Sequence, residues 1–199
     1  MNKKRVGIFG GTFNPPHIGH VQAAKAFVEK INLDLLLIMP AFIPPHKDYL
    51  STVSYQERFE MCKIAFADVS NASVSDIEIS RGGKSYTYLT LKELTKDDVE
   101  LYLLCGTDMI LSMDTWMNPQ IIFSLATICY IRRENSPETT SIIEIKCREY
   151  IERFNARIVP INSEVIEISS SEIRVNEIKA SKFLDERVLA YIVEKGLYK

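Results

Sequence analysis

The sequence predicts an α/β fold: a Rossmann-like, doubly wound, mostly parallel sheet with C-terminal helices. Three observations point there. Short apolar runs of strand length alternate with helical patterns, as in a parallel sheet covered on both faces. The first of these runs leads straight into a Gly-rich turn and a helix start, "GGTFNPPHIGH" at 10–20. The other segments of unusual composition also follow predicted strands, at the carboxyl edge where open α/β sheets bind ligands.

Taken in order, Val6–Phe9 reads as a strand and Gly19–Lys30 as a helix with Val21, Ala24, Phe27 and Val28 on one face. Leu35–Met39 is a second strand, ended by Pro40. The stretch "AFIPPHKDYLSTV" at 41–53 is a loop, because adjacent prolines suit neither helix nor ladder. Ser54 and Glu57 form a capping box for a helix reaching about Ala67. Val74–Ile79 reads as a strand, "RGGKSY" as a turn, and Thr87 to about Thr95 as a helix. Val99–Cys105 is an apolar strand with "GTD" and a short helix behind it. Ala126–Ile131 is the next strand and Thr140–Phe154 a longer helix. Arg157–Ile161 and Val165–Ile168 read as short strands. Ser170 opens one helix, and Asp185 caps another that stops at Gly196.

A chain of 199 residues suits one well-buried core, and no linker or repeat divides it, so 1–199 is expected to form a single domain. The net charge of −2 provides no basic field for nucleic acid, so any anion must be met by local donors. The opening "MNKKRVGIFGG" breaks after four apolar residues, too short for an export core. No run approaches the roughly 18 apolar residues of a membrane span. Cys62, Cys105, Cys129 and Cys147 are scattered, without C-x-x-C spacing and within apolar patterns. Buried reduced thiols, a cytoplasmic setting and no membrane partner are expected.

Gly10 and Gly11 before a helix start suit an anion, which the free N–H groups there attract. The spacing is not G-x-G-x-x-G and no acidic residue ends the second strand, which argues against a dinucleotide-dependent oxidoreductase. No Lys precedes a Ser or Thr in the turn, so it is not a P-loop. His17 and His20 stand three apart at the helix start, with Pro15 and Pro16 fixing the approach and Gly19 thinning the wall between the rings. Both rings can then face one phosphate cluster. A three-histidine zinc site is the other reading of the spacing; it would need His46, beside Lys47.

"GGTFNPPHIGH" resembles the signature of the nucleotidylyltransferase superfamily, in the version found in bacterial nicotinate-nucleotide adenylyltransferases. "PPHK" (44–47), "GGKSYT" (82–87), "GTDMILSMDTW" (106–116) and "ISSSEIR" (168–174) are similar to that family in the same order, as is "VLAYIVEKGLY" (188–198). The resemblance implies transfer of AMP from ATP to nicotinate mononucleotide, giving deamido-NAD and pyrophosphate. It implies that the backbone of Gly10, Gly11, Thr12 and Phe13 cradles ATP and that His17 and His20 donate to its phosphates. Ser170 and Ser171 would meet the β- and γ-phosphates, with Arg174 adding charge. Arg133, or its neighbour Arg132, would hold pyrophosphate, and Lys47 would close over the phosphates. Asp108 would contact a ribose, cap the next helix, or both. Trp116 would stack on the nicotinate ring or else pack in the core. Thr87 and its neighbours would offer main-chain N–H groups to the nicotinate carboxylate. Mg²⁺ would arrive on the ATP phosphates, without a dedicated protein site. The chain departs from the family at Ala41, Leu89, Met117, Glu134 and Asn135, which bears on selectivity for the acid over the amide. Nicotinamide mononucleotide or another phosphorylated acceptor, and a non-catalytic nucleotide sensor, are the competing readings.

Overall fold

The computed structural model describes residues 3–44, 53–131, 136–163 and 166–198. Six strands form one sheet: β1 (Lys4–Gly11), β2 (Leu35–Pro40), β3 (Ala72–Val74), β4 (Val99–Gly106), β5 (Ala126–Ile131) and β6 (Ile158–Ile161). Their order is β3-β2-β1-β4-β5-β6 and every pairing is parallel. The chain therefore winds outward from β1 in one direction, then returns past β1 to β4 and winds the other way. The crevice between β1 and β4, where the direction reverses, is the ligand position of such sheets.

Helices cover both faces, and alternation along each strand sends side chains to each side. On one face, Phe9, Leu36, Ile38, Leu104 and Cys129 pack with α1 (Ile18–Ile31), α2 (Tyr55–Ala65) and α10 (Glu186–Lys195). On the other, Val6, Ile8, Leu101, Leu103 and Ile128 pack with α4 (Thr87–Leu94), α5 (Thr107–Ser112), α6 (Pro119–Leu125) and α7 (Pro137–Phe154). The buried side of α1 carries Ala23, Ala24, Phe27 and Ile31, one residue round from the expected stripe. Helix ends follow local chemistry. Ser54 accepts from the Glu57 N–H at the start of α2, and Asp185 accepts from Arg187 at the start of α10. Gly196 closes α10 in the left-handed region (φ 61°). All four cysteines are free; burial pushes the Cys129 thiol up to about 12 and Cys62 well above its usual value. No helix among the described residues is long and apolar enough to cross a membrane.

Two strand expectations need correction. The strand predicted at 74–79 is only Ala72–Val74; Ile77–Arg81 forms α3 instead. Ile77 and Ile79 alternate as in a strand, but Glu78 between them is buried, its carboxylate accepting from Thr90 Oγ1 at 2.9 Å. The Ser80 N–H reaching Asp76 O (2.9 Å) then closes a helical turn. Ile166–Ile168 is not a strand, because the Ile168 N–H turns back to Ile166 O (3.0 Å); Val165 lies outside the described residues. Helix α8 (Ser170–Arg174) is capped by Ser169, whose hydroxyl accepts from the Glu172 N–H while the Glu172 carboxylate accepts from the Ser169 N–H. Helix α6 was not anticipated, although Pro119 at its first position is a common helix opening. Between α8 and α10 the chain adds α9 (Glu177–Phe183).

Candidate active site

A cleft of about 930 Å³ opens at the carboxyl ends of β1 and β4. Every predicted site residue among the described residues lines it. Gly10, Gly11, Thr12, Phe13, His17 and His20 come from β1 and its loop, and Thr87, Asp108 and Trp116 from the face of α4 to α6. Ser170, Ser171 and Arg174 come from α8. Lys47, Arg133, His46 and Arg132 lie outside the described residues.

The β1 loop is shaped by its side chains. Phe13 takes φ 47°, a region a bulky residue occupies only when its surroundings compensate. Its ring supplies that compensation: it is 2% exposed and packs edge-on to Phe9, Phe66 and His20, the last with ring centroids at 5.0 Å. The two glycines before it do different things. A Cβ on Gly11 would sit 2.9 Å from the Phe13 ring, whereas one on Gly10 would meet nothing within 4 Å and stands in the cleft. Asn14–Pro15 is a cis peptide.

His17 caps α1 and is buried, and the His20 ring lies over it with centroids 3.7 Å apart. The His17 main-chain N–H donates to His20 Nδ1 at 3.2 Å. A neutral His20 therefore carries its proton on Nε2, where it can be donated. Gly19 makes the stacking possible, since a Cβ there would lie 3.1 Å from His17 Nδ1 and Cε1.

Helix α8, about 150 residues further along, is bonded directly to this loop. Ser170 Oγ donates to the Pro15 carbonyl (2.8 Å), and Arg174 Nη1 donates to the Asn14 carbonyl (2.7 Å). Arg174 Nη2 also donates to Ser171 Oγ (3.1 Å). The Ser170 hydroxyl proton is thus engaged with protein, and the main-chain N–H groups of Ser170 and Ser171 have no acceptor within the short helix. Lys179 and Ser169 hold the exposed Glu172 carboxylate down to about 2, so the cap stays ionised.

On the opposite wall, Thr87 is the first residue of α4, so its N–H and that of Tyr88 lack intrahelical acceptors. Asp108 does not cap α5; Gly106 does, and Asp108 is exposed in the first turn, where the helix dipole favours a carboxylate. Trp116 is half-buried: it lines the cleft and also packs against the core on that face, so it is not a fully buried core residue. The single turn before it, Met113–Thr115, is held from behind by α7. Tyr150 donates to the Ile110 carbonyl (2.9 Å) and accepts from the Asp114 N–H (3.3 Å), while Lys146 donates to Asp114 Oδ2 (3.0 Å). Burial pushes the Asp114 carboxyl up, but the Lys146 ammonium bonded to it helps outweigh that and holds it below its usual value. Burial moves the Tyr150 hydroxyl up to about 12.

Sequence reasoning missed Arg58. It is fully buried, with Nη1 donating to the Thr12 carbonyl (2.7 Å) and Nη2 to the Ala41 carbonyl (2.7 Å). One guanidinium therefore ties the loop after β1 to the chain leaving β2. Its signal was present: Tyr55, Arg58, Cys62 and Ala65 form the buried stripe of α2, and a cation on an apolar stripe demands partners. Asn14 and Tyr198, which also line the cleft, were missed as well.

The chain matches the sequence model of the cytidylyltransferase-like family over residues 8–176. Relatives named probable nicotinate-nucleotide adenylyltransferase include those of a clostridium and a lactococcus. That of Clostridium botulinum (strain Eklund 17B / Type B) is 36% identical, covering 98% of this chain and 98% of its own. That of Lactococcus lactis subsp. lactis (strain IL1403) is 35% identical, covering 100% of this chain and 97% of its own. The chain belongs to the nicotinate-nucleotide adenylyltransferase family. The fold agrees with that family assignment: the Plasmodium falciparum nicotinic acid mononucleotide adenylyltransferase complexed with NaAD superposes with a TM-score of 0.74 at 19% identity, covering 98% of this chain and 97% of that one. Family membership makes the protein a nucleotidyltransferase and accounts for a cleft walled by polar donors.

Proposed function

We propose that the protein transfers AMP from ATP to nicotinate mononucleotide in the cytoplasm, releasing pyrophosphate and forming deamido-NAD for NAD biosynthesis. The observation that carries this reading is the direct bonding of α8 to the histidine-bearing loop, through Ser170 to Pro15 and Arg174 to Asn14. It joins the loop that carries the imidazoles to the helix that carries the guanidinium and the serine N–H groups, all lining one cleft, which supports their acting together on one triphosphate.

In this reading a 5′-phosphate oxygen of the mononucleotide attacks the α-phosphorus of ATP. The new P–O bond forms as the bond from the α-phosphorus to the β-bridging oxygen breaks, and its electron pair leaves with pyrophosphate. The nucleophile is already ionised, since the second pKa of a phosphate monoester is about 6, so no general base is required. What the chain supplies is alignment of two anions and donors for the charge that moves to the leaving group. His17 and His20 donate to the phosphates from the α1 start. The Gly10–Phe13 backbone and the Ser170 and Ser171 N–H groups line the triphosphate, and Arg174 adds charge beside them. Thr87 and Trp116 hold the nicotinate end, and Asp108 a ribose. Arg133 and Lys47 are assigned to pyrophosphate and to the phosphates on the family resemblance alone.

Mg²⁺ carried on ATP neutralises phosphate charge in this chemistry. The hydroxyl and N–H groups of the α8 wall suit the phosphate oxygens that would carry the metal.

The test is pyrophosphate release from ATP and Mg²⁺ with the acid and the amide mononucleotide side by side. Release is expected with the acid, far less with the amide, and none without an acceptor. Tight ATP binding with no release on either acceptor would instead support the sensor reading. A second expectation separates binding from folding. The open space above Gly10 predicts that Gly10→Ala keeps its melting temperature within about 2 °C. Its methyl would stand where the nucleotide lies, weakening ATP binding by about ten- to a hundredfold. Unchanged ATP affinity by calorimetry would take the triphosphate away from Gly10.

A further inference from the structure

The turn that follows α10 reaches the cleft, and no role has been given to it so far. After Gly196 the Leu197 N–H bonds the Ile192 carbonyl (3.0 Å), and Leu197 packs against the core formed by α1, α2 and α10. Tyr198 then takes φ 64°, a left-handed conformation unusual for an aromatic residue. Its ring is partly buried against the same core and lines the cleft, and its hydroxyl donates to Asn14 Oδ1.

Asn14 is consequently held twice by later parts of the chain. Arg174 grips its main-chain carbonyl, and Tyr198 grips its side-chain oxygen. The phenol also fixes which way round the amide lies, since only Oδ1 can accept its proton. Asn14 stands between Phe13, strained at φ 47°, and the Pro15 carbonyl that receives Ser170. The cap residue His17 follows two residues after Pro15. Tyr198 thus bonds the segment on which the phosphate-facing donors depend.

We propose that Tyr198 is a positioning residue for adenylyl transfer, acting through Asn14 to hold the loop of residues 12–17 in its donor-presenting shape. The proposal rests on the adenylyl-transfer reading for its consequence and on the Tyr198–Asn14 bond for its geometry. Tyr198 need not touch the reacting atoms. Removing its hydroxyl lets the loop drift, and small misplacements of donors are costly when alignment supplies the rate.

The experiment compares the full chain with Tyr198→Phe, Asn14→Ala and the double variant. It reads kcat, KM for each substrate, melting temperature, and ATP affinity measured without acceptor. Tyr198→Phe keeps the ring and its packing, so its melting temperature is expected within about 2 °C of the parent. Its kcat is expected to fall about tenfold, with KM for the mononucleotide changed less than about twofold. The double variant should be no slower than Asn14→Ala alone, because the two residues act as one unit.

A Tyr198→Phe protein with unchanged kcat and a lowered melting temperature would mean an anchor of stability only, and would overturn the proposal. So would a double variant clearly slower than Asn14→Ala, which would route Tyr198 through some other group. If the parent itself releases no pyrophosphate, the adenylyl-transfer reading fails on its own. The latch is then read from ATP affinity, which drops about fivefold in Tyr198→Phe if the loop is held this way and stays level if it is not.

Discussion

Replacing His20 with alanine is expected to lower turnover by about 10²–10³-fold, the loss that follows removal of one preorganised donor from a developing anion. The expectation follows from how the ring is held. Its Nδ1 accepts from the His17 N–H, and its edge packs against the buried Phe13 ring. Both contacts hold the ring in one orientation, so little reorganisation is needed when charge moves to the leaving group. His17→Ala is expected to behave similarly, and the double variant to lose less than the product of the two, because in the proposed reading two rings with centroids 3.7 Å apart act on one phosphate group. Steady-state pyrophosphate release measures this, with circular dichroism checking that α1 persists. An His20→Ala enzyme with near-normal kcat would remove the imidazole from the mechanism and leave it a loop-packing residue.

Much of this site was legible in the sequence because it depends on local order. Glycines, prolines and histidines packed behind one strand encode their own turn, and the strand-helix alternation puts that turn at the edge of the sheet. The strand Ala126–Ile131 was read to the residue, since a run rich in β-branched and aromatic side chains stops at two arginines. What was not legible depends on contacts distant in sequence. The reach of Tyr198 to Asn14 spans 184 positions, and nothing in "EKGLYK" alone points back to the first loop. The helix at Ile77–Arg81 was misread for the same reason: Glu78 is buried through Thr90, on an element that local alternation does not see. Ser170 is the first residue of α8, as read, and the cap ahead of it falls on Ser169 because the third position from Ser169 holds Glu172.

Arg58 carries the largest expected effect on stability. Substitution by methionine keeps the length and apolar stem of the side chain but leaves the Thr12 and Ala41 carbonyls without the guanidinium they accept from. At about 1–3 kcal/mol for each buried group left unsatisfied, a loss of about 2–4 kcal/mol is expected, partly offset because a buried cation no longer needs desolvation. Arg58→Lys keeps the charge but has one ammonium where the fork reaches two carbonyls, so it should fall between the parent and the methionine variant. Urea unfolding measures both, and the slope should stay unchanged if the midpoint alone moves. The effect should extend to ATP. The same guanidinium fixes Thr12 in the loop after β1, proposed to cradle ATP, and Ala41 at the exit of β2, so KM for ATP should rise in both variants even at temperatures where they are folded. An Arg58→Met protein as stable as the parent would show that burying the guanidinium costs as much as its carbonyl bonds return. Unchanged ATP kinetics in that protein would mean that the β1 loop holds its shape without a tie to β2.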